Sequence, residues 1–88
     1  MRLGVISDTH GQLRPEVTAL LDGCDAILHA GDVGDPAILA TLADIAPVTA
    51  VRGNVDVAGA LARLPDEISG EIEGVRYRMT HRKEDLAD

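Results

Sequence analysis

Three short aliphatic runs, Leu3-Gly4-Val5-Ile6, Ala26-Ile27-Leu28 and Val48 to Val51, punctuate the chain, each closed by a polar or glycine-bearing cluster. Runs of this length between turn signals read as buried strands. Helical patterns separate them. Pro15 suits a first helical turn, Val17, Leu20 and Leu21 fall on one face, and Gly23 can end the helix. Asp35-Pro36 supplies an N-cap followed by proline at the first helical position. Ile38, Leu42 and Ile45 then recur at helical spacing, and Pro47 marks the exit. Strand, helix, strand, helix, strand implies βαβ crossovers and a parallel sheet, hence an α/β fold.

After Asn54 the pattern changes. Val57 to Leu64 predicts a short helical piece stopped by Pro65. Glu67 to Ile72 and Val75 to Thr80 predict two strands joined at Glu73-Gly74, a β-hairpin. Glu71, Glu73, Arg76 and Arg78 mix signs across that ribbon and read as solvated faces. The tail from His81 to Asp88 carries no clear period.

Composition limits what such a fold can be. Eighty-eight residues allow one domain. With 45% apolar and 26% charged residues the chain is globular in character, yet it has no Phe, no Trp and a single Tyr, Tyr77. A core of small aliphatics buries little area, and a domain of this length hides only roughly 60–65% of its unfolded surface. Marginal stability alone is the expectation. A net charge of −7 argues against an electrostatic grip on nucleic acid or on an anionic membrane. The lone Cys24 has no internal disulfide partner and reads as a small buried thiol. The amino-terminal apolar run is too short for a signal peptide or a membrane span, so a soluble, cytoplasmic protein is expected.

Open parallel sheets place ligands beyond the carboxyl ends of their strands. Metal-competent residues occupy four such ends: Asp8 with His10, then Asp32, Asn54 and His81. From Asp8 to Asp32, Asp32 to Asn54 and Asn54 to His81 the steps are 24, 22 and 27 residues, about one strand–helix–strand unit each. Each step would return one ligand to the same rim. Carboxylate, imidazole and amide oxygen together suit a divalent cation such as Mn²⁺, Fe²⁺, Ni²⁺ or Zn²⁺. Taken singly, Asp8, Gly31-Asp32 and Gly53-Asn54 are compatible with ordinary turns, and His81 with a structural histidine. Their joint occurrence favours the ligand reading. His29 reads as a packed, hydrogen-bonded structural histidine, whereas Asp56 orients a ligand or substrate from behind or is a solvated loop acid. Gly31-Asp32-Val33-Gly34 lacks the spacing of a dinucleotide or P-loop fingerprint.

Ser7-Asp8-Thr9-His10-Gly11, His29-Ala30-Gly31-Asp32, Arg52-Gly53-Asn54-Val55-Asp56 and Thr80-His81 resemble the first four blocks of the calcineurin-like metallophosphoesterases. The likeness is to the small bacterial and archaeal phosphodiesterases related to the retromer subunit of that fold. It implies a βαβαβ sheet followed by a hairpin, the first half of a four-layer αββα sandwich. It also implies two divalent ions, Mn²⁺ foremost. Asp32 would bridge them, Asp8 and His10 would hold one, and Asn54 and His81 the other. A shared water or hydroxide would attack phosphorus in line, and the substrate would be a small phosphate ester.

The sequence departs from that family twice. Val55 stands where many members carry a histidine, often assigned to leaving-group protonation, so the general acid is unassigned. The later Gly-His-x-His block of the family does not appear, and Arg82-Lys83 replaces the usual continuation beyond His81. The expectation is a single domain, 1–88, truncated at its carboxyl end, whose sheet is covered by a homo-oligomer or by the missing half. Two other classes compete. One is a non-catalytic protein-binding scaffold, or an inactive fragment, of the same fold. The other is aspartyl phosphotransfer through Asp8, which would want an acid where His10 stands.

Overall fold

In the computed structural model, which describes residues 2–81, the chain runs β1 (Leu3–Ile6), α1 (Pro15–Leu21), β2 (Ala26–His29), α2 (Pro36–Ala43) and β3 (Val48–Ala50). A 3-10 helix (Gly59–Arg63), β4 (Glu67–Ile72) and β5 (Val75–Thr80) follow. β1, β2 and β3 form a parallel sheet with β2 at its centre, Leu3 opposite Ala26 and Ile27 opposite Val48. β4 and β5 form an antiparallel ribbon with Glu67 opposite Thr80. The tail beyond His81 lies outside the described residues.

Local chemistry accounts for most of these elements. Asp35 caps α2 by accepting the Ala37 N–H at 2.9 Å, with Pro36 at the first helical position. The Glu73-Gly74 turn has φ values of 50° and 84°, the pair of left-handed residues that a tight hairpin needs to match strand twist. The expected third strand stops one residue early, at Ala50, and the predicted helical piece is the 3-10 helix.

The two faces of the parallel sheet are packed differently. Ile6, Ile27 and Val48 meet the helices, where Ile27, Val33 and Leu42 are fully buried with Leu21, Ile38 and Leu61 around them. Gly4 lets α1 settle on β1, because a Cβ there would lie 2.5 Å from Leu21 Cδ2. Within α1, Val17 and Leu21, one turn apart, turn inward, whereas Leu20 is 76% exposed and corrects the expected three-residue stripe. A two-turn helix presents the sheet with a strip one residue wide. Cys24 is only partly buried, against this same core.

On the other face Leu28 and Val51 pack against Met79, Ile68 and Tyr77 of the ribbon. The Tyr77 ring lies across Gly70 on the paired strand, filling the space a side chain would have taken. The outward face carries Arg78 bound to both oxygens of Glu67 at 2.6 and 3.2 Å, in keeping with a solvated surface. β1 is left uncovered on this side, with Leu3 and Val5 exposed. Among the described residues no helix is long and apolar enough to cross a membrane.

Leu42→Ala, at a fully buried position, is expected to lower unfolding free energy in urea by about 2–5 kcal/mol. Leu20→Ala should change it by less than about 0.5 kcal/mol.

Candidate metal centre

The loops that leave β1 and β2 are knitted to each other by backbone bonds. Asp8 N–H donates to Gly31 O at 2.9 Å, His10 N–H to Asp32 O at 2.9 Å and Gly11 N–H to Val33 O at 2.8 Å. The ladder between β1 and β2 therefore continues past the strands, but with an altered backbone. Asp8, His10 and Asp32 all sit in the left-handed region, at φ of 58°, 49° and 56°. Non-glycine residues rarely adopt it, Asp and His more readily than most, and a residue held there costs of order 1–3 kcal/mol. The strain coincides with three candidate ligands.

The side chains converge. One ligand atom each from Asp8, Asp32 and His81 lies within 4.8 Å of the others. Asp32 Oδ2 stands 3.4 Å from His10 Nε2 and 3.3 Å from His81 Nε2, so one carboxylate oxygen faces two imidazoles. Its other oxygen, Oδ1, accepts the Val55 N–H at 3.1 Å, which sets the plane of the carboxylate. His10 Nε2 is also 3.6 Å from Asp8 Oδ1. Asp32 is buried, His81 half-buried, and Asp8 and His10 exposed. Asn54 sits in the turn after β3, next to Val55; it is exposed, and its side chain makes no hydrogen bond among the described residues.

His81 reaches this rim by a route the spacing did not foresee. No third strand–helix–strand step brings it; the β4–β5 ribbon packs on the opposite sheet face and its last strand runs out beside the loop after β2. There His81 Nδ1 donates to Ala30 O at 2.9 Å. A carbonyl only accepts, so in the neutral ring Nε2 carries the lone pair. That lone pair faces a carboxylate oxygen. Two electron-rich atoms in this position are favourable only with a proton or a cation to share, and the nitrogen–oxygen donor set suits a divalent ion of borderline hardness. Gly31 must be glycine for His81 to fit, since a Cβ there would lie 2.8 Å from Nδ1, at a backbone φ of 106°. A Cβ on Gly53 would fall onto the Asp32 backbone and carboxylate.

Behind the rim lie two buried polar groups. Asp56, 1% exposed, accepts Val33 N–H at 3.1 Å, Gly34 N–H at 3.0 Å and Gly53 N–H at 2.9 Å. It is no solvated loop acid: it clamps the loop after β2 to the loop after β3. Burial pushes its carboxyl upward, but the backbone N–H groups of Gly34, Gly53 and Val33 outweigh that push and hold it below its ordinary value. His29, fully buried, is the hydrogen-bonded histidine the sequence predicts. Its Nδ1 accepts Gly31 N–H at 3.1 Å, and its Nε2 lies 3.1 Å from Thr9 Oγ1, whose hydroxyl donates to Val33 O at 2.8 Å. The Thr9 oxygen therefore accepts from Nε2–H, and the ring is neutral. Burial pushes His29 below its ordinary pKa, against the pull of Asp56, Asp8 and Asp32.

Sequence reasoning missed Ser7 and Thr9. The Ser7 hydroxyl donates to Asp8 Oδ2 at 2.7 Å and is the leading reason the Asp8 carboxyl lies below its ordinary value, against partial desolvation and with His81 and His10 assisting. Hydroxyl residues flanking the Asp8 carboxylate were the available signal; Ser7 finds its partner next door, whereas the partners of Thr9 lie in a loop distant in sequence.

Comparison with known proteins agrees with this architecture. Residues 1–88 match the calcineurin-like phosphoesterase superfamily domain. A probable metallophosphoesterase of Methanocaldococcus jannaschii is 38% identical over 86 residues, covering 92% of this chain and 43% of the relative. A probable metallophosphoesterase of Methanothermobacter thermautotrophicus is 37% identical over 86 residues, covering 92% of this chain and 49% of the relative. The chain thus spans less than half the length of these relatives. The crystal structure of Chaetomium thermophilum Vps29 shares the fold, with a TM-score of 0.72 at 24% identity over 86% of this chain and 42% of that one.

Asp56 gives a pH signature. Its pKa is lower folded than unfolded, so its contribution is present above the ordinary value of 3.8 and is lost as pH falls through the folded value. Asp56→Asn should cost about 1–3 kcal/mol at pH 7. Urea titrations between pH 2 and 7 should also show a shallower acid loss in the variant than in the parent.

Proposed function

Because the chain belongs to the calcineurin-like phosphoesterase superfamily, we propose that the rim at Asp8, His10, Asp32, Asn54 and His81 is a divalent-metal centre for phosphate-ester hydrolysis, phosphodiesters included. The observation that carries this is the position of Asp32 Oδ2 between His10 Nε2 and His81 Nε2, with Asp8 alongside. Two divalent ions held there, Mn²⁺ foremost, would supply an acidified water and neutralise charge on the phosphoryl oxygens.

Each residue then has a role. Asp32 shares its carboxylate between the two imidazole sides of the centre. Asp8 and His10 form one side. His81, fixed in tautomer by Ala30 O, belongs to the other, with the Asn54 amide completing it. Asp56 positions both loops without touching the substrate, and Ser7 orients Asp8. Val55 offers its backbone N–H to Asp32 and no side-chain acid, so esters with good leaving groups are favoured. The same reading holds the 88-residue unit to be part of a larger phosphoesterase domain acting in the cytoplasm on a small phosphate ester. The open apolar face at Leu3 and Val5 supports its coverage by further polypeptide or by a second copy.

The full chain is expected to take up Mn²⁺ at micromolar concentration and to hydrolyse bis(p-nitrophenyl) phosphate. Asp32→Ala should abolish both, with a rate loss of at least about 100-fold. Specific uptake absent from the parent chain would instead favour the non-catalytic scaffold.

A further inference from the structure

A pocket of about 330 Å³ opens between Asp8 and the start of α1. Its volume lies at the lower end of the range for small-molecule sites, about 300–1,000 Å³. Its lining is mixed: the partly buried Ile6, Leu13 and Val17 supply the apolar part, and Ser7, Asp8, Thr9, Gln12 and Arg14 the polar part. Asp8 belongs to both this pocket and the converging ligand set. A larger concavity on the hairpin, around Tyr77, contains none of the converging donors.

Arg14 is out of place by every local rule. It holds the N-cap position of α1, offers no side-chain acceptor to the first turn, and brings a cation to the positive end of the helix. Ser, Thr, Asp or Asn there would be better by about 1 kcal/mol. None of the ion pairs among the described residues includes it, although the chain carries a net charge of −7. It is also the positive charge lining a pocket that borders the centre. Departures from local preference are expected at functional sites, and this one lies where the pocket borders the centre.

We propose that this pocket receives the alcohol part of the phosphate ester, and that Arg14 contacts a second phosphate carried on that alcohol. The apolar part of the lining, Ile6, Leu13 and Val17, suits a ring or short apolar segment, and the Gln12 amide suits a hydroxyl beside it. The preferred substrate class is therefore a phosphate ester with two anionic ends, one at the centre and one at Arg14. The inference rests on the phosphoesterase reading of the neighbouring rim.

Thymidine 5′-monophosphate and thymidine 3′,5′-bisphosphate serve as probes, titrated calorimetrically into the full chain with Mn²⁺ present. The bisphosphate is expected to bind about tenfold more tightly, the scale of one hydrogen bond to a charged group. Arg14→Gln should erase that ratio, Arg14→Lys should keep part of it, and Arg63→Gln, the same charge change at an exposed position of the 3-10 helix, should keep it whole. Equal affinities in the parent, a ratio that survives Arg14→Gln, or binding of neither probe would overturn the proposal. Hydrolysis of the corresponding 5′-p-nitrophenyl esters, with and without the 3′-phosphate, separates the two readings. An Arg14-dependent ratio without hydrolysis of either ester would leave the pocket standing and sink the phosphoesterase reading.

Discussion

A single buried carboxylate holds the working end of this protein together. Asp56 takes three backbone N–H groups, from Val33, Gly34 and Gly53, out of two loops whose backbones do not pair with each other. An ionised carboxylate away from water is tolerated only when its oxygens are satisfied, and here they are. The bonds to Val33 and Gly34 fix the backbone directly after Asp32, and the bond to Gly53 fixes the backbone directly before Asn54. Remove that clamp and the parallel sheet persists, but the loop after β3 keeps only the Val55–Asp32 bond to hold it against the loop after β2.

With the loops fixed, strain becomes affordable. Asp8, His10 and Asp32 each hold a left-handed backbone, a conformation that persists only where the surroundings over-determine it. The surroundings are the Asp56 clamp, the loop-to-loop backbone bonds and the His29–Thr9 pair. His29 couples the loop after β1, through Thr9, to the loop after β2, through Gly31. It does so as a neutral ring, which is what burial favours. The strained turns direct polar side chains off the ends of the strands toward one point, where a regular strand would have alternated them between faces.

Electrostatics explains why an acidic chain is compatible with an anionic ligand. The rim sets Asp8 and Asp32 beside two imidazoles, and His81 Nε2 faces a carboxylate oxygen, an arrangement that needs a shared proton or cation. Such a set is short of positive charge, and divalent cations invert the local field. The same logic singles out Arg14, a cation lining the pocket without a carboxylate among its described partners, in a chain whose net charge is −7.

Sequence by itself determined what short-range chemistry controls. The aliphatic runs specified the three parallel strands, Asp35-Pro36 started α2, Glu73-Gly74 turned the hairpin, and the strand-end clusters marked the rim, because each depends on neighbours a few residues away. Asp8, His10 and Asp32 were legible for that reason. Tertiary structure alone decided that Leu20 points to water, that the predicted hairpin packs where its last strand brings His81 against Ala30, and that Asp56 is a buried clamp. It also decided which backbone groups Thr9 and His29 hold. These outcomes turn on contacts between segments some 20 to 50 residues apart, whose energies exist only once the sheet has brought the loops together.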